Sequence, residues 1–202
     1  MNPLTSPLLT DPPPPGPDLA VTDTEVTVLV ALAQARGARS IAVGSGRTPA
    51  ALAGADAITR AWQAAGGVVA ATTTWPETAA SWLCQARHFA DAPADVWVMT
   101  GPEVGWAQVA RRLLWSTSWR PDRTLATAAI GRPATLALVG ARQLRGLTGA
   151  DANGATWTVT DDGGLTVTGP GPGPGPGPGP GPGPGPGPGP GPGPGPGPGL
   201  SR

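Results

Sequence analysis

Residues 39–49 read RSIAVGSGRTP, a short β-rich run that ends in a glycine-containing turn and a Thr-Pro pair. The pattern returns twice, because the β-rich runs at 68–73 and 95–99 lead into TWPE at 74–77 and TGPE at 100–103. A threonine can cap a helix start, proline fits the first turn, and a glutamate three residues after the threonine completes a capping box. Each block therefore predicts a strand followed by a helix.

The same alternation extends on both sides of these blocks. A further capping box, Thr22 to Glu25, opens a helix that ends near Gly37, and a helix over 50–65 ends at a Gly-Gly pair. Residues 123–129 give a fourth strand. Repeated strand-helix alternation predicts an α/β fold, in which a parallel sheet has helices on both faces and right-handed crossovers.

Two more helices are predicted after residues 78 and 102 from apolar side chains at helical spacing. Trp82, Trp97 and Trp106 fall on apolar faces and are predicted to be core residues. The secondary structure of two segments is not decided by the sequence. The β-branched residues of the first helix are also compatible with a strand, and residues 134–145 fit either structure.

The two ends of the chain differ from its middle. Residues 156–160 and 165–168, joined by DDGG, predict a short C-terminal β-hairpin. From residue 169 to residue 199, glycine and proline alternate without a break, which removes every second backbone donor and supplies no side chain for a core. We therefore expect a disordered Pro-rich segment over 1–19, an α/β lobe over 20–168, and an extended, disordered Gly-Pro tail over 169–202.

Composition excludes several classes of function. The 13 basic and 13 acidic residues cancel, so no electrostatic footprint for nucleic acid is present. The single cysteine rules out an intramolecular disulfide and a multi-cysteine metal site, and no cofactor is predicted. Residues 1–17 lack the basic and apolar regions of a signal peptide, which predicts a cytoplasmic chain as written, and no apolar run reaches the roughly 20 residues of a membrane span.

The order of these elements resembles a known family. The segments ARSIAV at 38–43, AITRAWQAAGG at 57–67 and PADVWVMT at 93–100 carry the resemblance, together with LRGLTG at 144–149 before the final hairpin. They are similar to one lobe of the type 1 periplasmic binding proteins, the substrate-binding components of branched-chain amino-acid ABC transporters. The resemblance implies a Rossmann-like single lobe that binds a small polar solute such as an amino acid without chemistry. The family is extracytoplasmic and closes two lobes on its ligand, and this chain is too short for both.

Ligands of such sheets bind at the loops that follow the carboxyl ends of the strands. In the loop after the first strand, a serine and an arginine could hold a solute carboxylate. Threonines and glutamates after the next two strands could line the cleft, with a glutamate meeting an ammonium group, although capping boxes explain the same spacing. A tryptophan beside the cleft could stack on the ligand. The candidate site residues are Ser45, Arg47, Thr74, Trp75, Glu77, Thr100 and Glu103.

Two other classes of function stay open. The glycines of residues 44–49 could cradle a phosphate, as in a nucleotide- or cofactor-using enzyme, although Gly54 comes too late for a dinucleotide fingerprint. Cys84 and His88 lie one helical turn apart, but such contacts arise by chance on any helix, and no catalytic residue is predicted. The strong bias toward Ala, Gly, Pro and Arg also fits a non-functional or mis-framed product of a GC-rich gene.

Overall fold

The structure is a computed structural model that describes residues 6–14 and 16–170. Within this part of the chain, seven strands form one sheet in the order β2-β1-β3-β4-β5-β6-β7. Strands β1 to β5 pair in parallel, and β6 and β7 add an antiparallel hairpin. The strands are β1 Ser40–Gly46, β2 Val68–Trp75, β3 Val96–Thr100, β4 Thr124–Ala126, β5 Thr148–Ala150, β6 Ala155–Val159 and β7 Leu165–Pro170.

Helices connect the parallel strands and cover both faces of the sheet. They are α1 Asp23–Ala35, α2 Pro49–Ala64, α3 Leu83–Ala90, α4 Glu103–Ser116 and α5 Pro133–Val139, with short 3-10 turns at Pro121–Arg123 and Ala141–Leu144. The α/β prediction with a C-terminal hairpin is confirmed. Among the described helices, none combines the length and the apolar character needed to cross a bilayer.

The sheet separates two hydrophobic cores because successive side chains of a strand point to opposite faces. Ile41 and Val43 of β1 pack with α1 and α2, whereas Ala42 between them packs with α3 and α4. In β3, Val98 faces the first core and Met99 the second. The predicted core residues Trp82, Trp97 and Trp106 are 3%, 5% and 0% exposed, which confirms their assignment to the core.

The first helix forms as its capping box predicts. The Glu25 amide donates to Thr22 Oγ1 at 3.1 Å, and the Thr22 amide donates to Glu25 Oε2 at 3.2 Å. Val26 and Leu29 are buried on the inner face, so packing outweighs the weak helix propensity of the β-branched residues. The alternative of a strand at this position is wrong. Gly37 follows the helix with a φ of 69°, as expected for a glycine at a helix end.

The capping boxes predicted after β2 and β3 are wrong. Thr74 lies inside β2, and α3 begins only at Leu83, so the helix expected directly after residue 78 starts later. Thr100 is the last residue of β3, and no side chain caps α4. The physical reason is strand pairing: Ser45 of β1 lies opposite both threonines, which extends the sheet through positions assigned to helix starts.

Both termini of the lobe also differ from the prediction. Strand β7 continues to Pro170, two residues beyond the boundary set at 168, and the rest of the proposed tail lies outside the described residues. The fourth strand is shorter than predicted and spans only Thr124–Ala126. Residues 6–14 and 16–19 contain no helix or strand, but they pack against the lobe, as Leu8 and Leu9 do on the core of α3 and α4.

Candidate functional site

The carboxyl ends of the central strands bring three of the predicted site residues together. In the register of the sheet, Ser45 lies opposite Thr74 of β2 on one side and Thr100 of β3 on the other. Ser45 is 2% exposed and Thr100 is 1% exposed. Thr100 Oγ1 accepts a hydrogen bond of 3.2 Å from Thr127 Oγ1 in the loop after β4. A row of hydroxyl groups therefore crosses this edge of the sheet from β2 to β4.

Glu77 lies directly above the end of β1. Its Oε2 accepts a hydrogen bond of 2.9 Å from the amide of Gly105 in α4, whereas its buried Oε1 has no hydrogen-bond partner. A Cβ atom on Gly46 would lie 2.9 Å from Oε1, so the carboxyl group packs on the glycine itself. Burial raises the pKa of Glu77, the Gly105 amide lowers it, and the charge of Asp18 raises it again.

This packing bears on the nucleotide alternative. Gly44 and Gly46 belong to β1 and not to a loop, and each is covered by a side chain. A Cβ atom on Gly44 would lie 2.6 Å from the ring of Trp75 and 2.9 Å from that of Phe89. Close packing of side chains thus requires both glycines. The Glu77 carboxylate, which would repel a phosphate, occupies the space above Gly46.

Glu103 and Arg47 mark the rim of the same edge. Glu103 begins α4, accepts a hydrogen bond of 3.3 Å from Thr135 Oγ1, and forms a long ion pair of 3.9 Å with Arg132. Arg47 is exposed after β1, and its Nε donates to Thr74 Oγ1 at 3.3 Å. The structure therefore brings one cationic and two acidic candidate residues to the border of the hydroxyl row.

Trp75 does not lie where the sequence placed it. Its side chain is 0% exposed and meets Phe89 edge to face, with ring centroids 6.4 Å apart and planes at 73°. Because Thr74 and Trp75 are successive residues of a strand, they point to opposite faces of the sheet. Trp75 is therefore a core residue, and stacking on a ligand is not available to it in this arrangement.

Asp18 is a residue of this edge that sequence reasoning missed. Thr48 Oγ1 donates to Asp18 Oδ1 at 2.6 Å, and the Ala50 amide donates to Oδ2 at 3.0 Å. Thr48 occupies the N-cap position of α2 but makes no side-chain cap of its own. Asp18 supplies that cap from 30 residues away in sequence, and no local pattern encodes such a pairing.

The segment that carries Asp18 continues over α4. The Leu9 amide donates to Gln108 Oε1 at 3.0 Å, and Arg111 Nη2 donates to the Ser6 carbonyl oxygen at 2.8 Å. Gly16 approaches Glu103 so closely that a Cβ atom on it would lie 2.7 Å from Oε1. The described residues of the segment expected to be disordered over 1–19 therefore contact the lobe at several points. The two leucines and the α4 side chains supply the contacts that its prolines cannot.

A small cavity adjoins the hydroxyl row beside α1. It has a volume of about 110 Å³ and is lined by residues 19–21, by the loop 127–129, by Glu25 and by Ala152. Glu25 is 1% exposed, and its Oε1 accepts a hydrogen bond of 2.6 Å from the Ala128 amide. Burial raises the pKa of Glu25, and the amides of Ala128 and Thr22 lower it. The carboxylate thus ties the start of α1 to the loop after β4.

The described residues contain no cluster of three or more side chains suited to a metal ion. The edge instead combines hydroxyl groups, the exposed guanidinium of Arg47 and the free oxygen of Glu77. These groups match the two charges of an amino acid, since a guanidinium can pair with a carboxylate and a carboxylate with an ammonium group.

Comparison with known proteins defines the fold. No family model and no curated protein matches the sequence. Solved structures do match: a substrate-binding periplasmic protein from Ralstonia solanacearum at a TM-score of 0.54 and 14% identity, and a branched-chain amino acid ABC transporter periplasmic ligand-binding protein from Burkholderia xenovorans at 0.51 and 16%. A leucine-binding protein from Thermotoga maritima matches at a TM-score of 0.50 and 16% identity.

The matches cover 62% to 65% of this chain but only 33% to 37% of the solved proteins. That share corresponds to a single lobe of a two-lobed protein. The resemblance to one lobe of the type 1 periplasmic binding proteins is thus confirmed as a likeness of fold. At identities of 14% to 16%, the likeness shows the fold alone.

Proposed function

We propose that this chain binds a small polar solute, such as an amino acid, at the carboxyl edge of its sheet. The observation that carries the proposal is the convergence of Ser45, Thr74 and Thr100 on neighbouring strands, with Arg47 and Glu77 at the border. Arg47 would meet the solute carboxylate, and the free oxygen of Glu77 would meet its ammonium group. Glu103 lines the opposite border, and Trp75 supports the site from the core.

The binding is expected to be weak. A single lobe offers about half of the contacts of a closed two-lobed protein. If the two-lobed protein binds its solute with a dissociation constant of about 1 μM, its binding free energy is about −8 kcal/mol. Half of that free energy corresponds to a dissociation constant of roughly 1 mM. Strong binding would require a partner lobe, supplied by another chain or by a longer form of this one. A role in ABC transport outside the cytoplasm is part of the same proposal, and it is supported by the periplasmic proteins that share the fold.

Thermal unfolding of the full chain, followed by tryptophan fluorescence, tests the proposal. At about 10 mM, an amino acid bound with a roughly millimolar dissociation constant adds about 1.4 kcal/mol and raises the midpoint by about 3 to 6 °C. Arg47→Ala should abolish the shift. Arg60→Ala, which removes an exposed arginine from the fourth turn of α2, is the matched control and should keep the shift. A midpoint that none of the twenty amino acids moves would contradict the proposal.

No specific observation favours an enzyme. Cys84 and His88 are both exposed on α3, and their spacing of one helical turn is that of any two residues on one face of a helix. The proteins that share the fold are described as a substrate-binding periplasmic protein, a periplasmic ligand-binding protein of an ABC transporter and a leucine-binding protein. Solute binding without chemistry is therefore the function we propose.

A further inference from the structure

The N-terminal strap, defined as residues 6–14 and 16–21, is attached to the lobe at several separate points. Its two leucines pack on the core beneath α3 and α4, and its backbone pairs with Gln108 and Arg111 of α4. Its last residue, Val21, packs so tightly on Gly54 of α2 that a Cβ atom there would overlap the valine side chain. The strap therefore runs from α4 to α2, across the carboxyl edge that lies between them.

The strap places a carboxylate at the amino terminus of α2. Asp18 accepts a charge-assisted hydrogen bond of 2.6 Å from Thr48 Oγ1 and one of 3.0 Å from the Ala50 amide. Helix α2 has 16 residues, and its dipole favours a negative charge at this end. Ala50 lies in the first turn, where amides have no acceptor within the helix. Asp18 is exposed, so a dissolved carboxylate has access to the same donors.

These donors belong to the loop proposed for the solute. Thr48 directly follows Arg47 and comes three residues after Ser45. The strap also lies near the other border of the site, where Gly16 contacts Glu103 and the charge of Asp18 acts on Glu77. A Cβ atom on Gly54, beneath Val21, would be 3.7 Å from Thr100 Oγ1. The strap thus contacts residues beside the proposed site, at Thr48, at Glu103 and at Gly54.

We propose that the strap keeps the solute site in a self-occupied state, in which the Asp18 carboxylate takes the place of the carboxylate of a solute at the amino terminus of α2. The inference rests on the proposed function and names both its ligand class, a carboxylate, and its regulation. A tethered group acts at an effective concentration in the millimolar range, so a free carboxylate competes only at similar concentrations. Release of Asp18 then opens the site.

The Ala50 amide gives a direct readout in the full chain. Its NMR signal and its hydrogen exchange are measured during titration with acetate, a carboxylate without an ammonium group, and with L-leucine. Asp18→Asn removes the charge and leaves one acceptor oxygen. Asp11→Asn makes the same chemical change at an exposed position of the same strap, where a φ of 54° suits asparagine. It is therefore the matched control.

If the inference is correct, Asp18→Asn speeds exchange of the Ala50 amide about fivefold, and acetate both restores its protection and binds about fivefold more tightly than to the unchanged chain. Asp11→Asn should behave as the unchanged chain. The inference would be overturned by equal acetate binding in all three proteins, or by acetate binding that changes neither the NMR signal nor the hydrogen exchange of the Ala50 amide. Solute binding would then be judged from the titration with L-leucine alone. Acetate competition in a chain whose unfolding midpoint none of the twenty amino acids moves would overturn the proposed function and the self-occupied solute site with it.

Discussion

Replacing Glu25 tests how the first helix is joined to the sheet. Glu25 is buried and accepts two backbone hydrogen bonds, from Thr22 in its own capping box and from Ala128 after β4. Glu25→Ala leaves both amides without an acceptor, and each unpaired buried group costs about 1 to 3 kcal/mol. Relief of the burial of a charged group offsets part of that cost, since burial raises the pKa of Glu25.

The expected net loss is about 3 kcal/mol in the free energy of unfolding. For a folded unit of this size, that loss lowers the unfolding midpoint by about 6 to 12 °C. Glu25→Gln keeps one acceptor oxygen and needs no charge in the interior, so its loss should be about 1 kcal/mol. Asp23→Ala removes an exposed carboxylate from the same turn of the helix and should cost no more than about 1 kcal/mol.

Urea unfolding at neutral pH, followed by tryptophan fluorescence, measures all three variants on one scale. The order of loss should be Glu25→Ala, then Glu25→Gln, with Asp23→Ala near or below the second. If Glu25→Ala and Asp23→Ala differ by less than about 0.5 kcal/mol, the bond to Ala128 does not join helix and sheet as the structure indicates.

Two further predictions concern stability. Burial raises the pKa of Glu77 above its ordinary value of 4.5, so the folded state binds the proton of this carboxyl group more tightly than the unfolded state does. The free energy of unfolding should therefore fall as the pH rises from 4.5 through the raised pKa. Glu77→Gln should flatten that fall in urea titrations between about pH 4 and about pH 8. In the sheet, a Cβ atom on Gly149 would overlap the Ala126 carbonyl oxygen and the Trp157 ring, so Gly149→Ala should cost about 3 kcal/mol or more in thermal melts. Gly169→Ala, where nothing lies within 4 Å, should cost less than about 1 kcal/mol, and equal losses at both glycines would refute this packing.

The sequence predicted what depends on short-range periodicity. Short β-rich runs in 39–43 and 95–99 located two central strands, and the capping box at Thr22 located the first helix. The boxes after β2 and β3 failed because threonine serves equally well as a cap and as a paired strand residue. Only the neighbouring strand, through Ser45, decides between the two, and that pairing is not a local property of the sequence.

The candidate site shows the same limit. Ser45, Thr74 and Thr100 were placed together correctly because the carboxyl ends of parallel strands meet at one edge. Trp75 was expected beside the cleft, but successive residues of a strand point to opposite faces of the sheet. Its side chain therefore lies in the core, on the face opposite to that of Thr74. Asp18 was missed because its partners on α2 lie 30 and 32 residues further along the chain.

The two outer strands leave the sheet with unequal edges. β2 carries no charged residue or proline in VVAATTTW, its Val68 is 61% exposed, and its outer backbone groups are open to another strand. β7 is shorter, ends at Pro170, whose nitrogen has no hydrogen to donate, and carries Val167, which is 62% exposed. Both outer strands can therefore accept another strand, and a single lysine on β2, the longer of the two and free of proline, is the simplest means of blocking that edge.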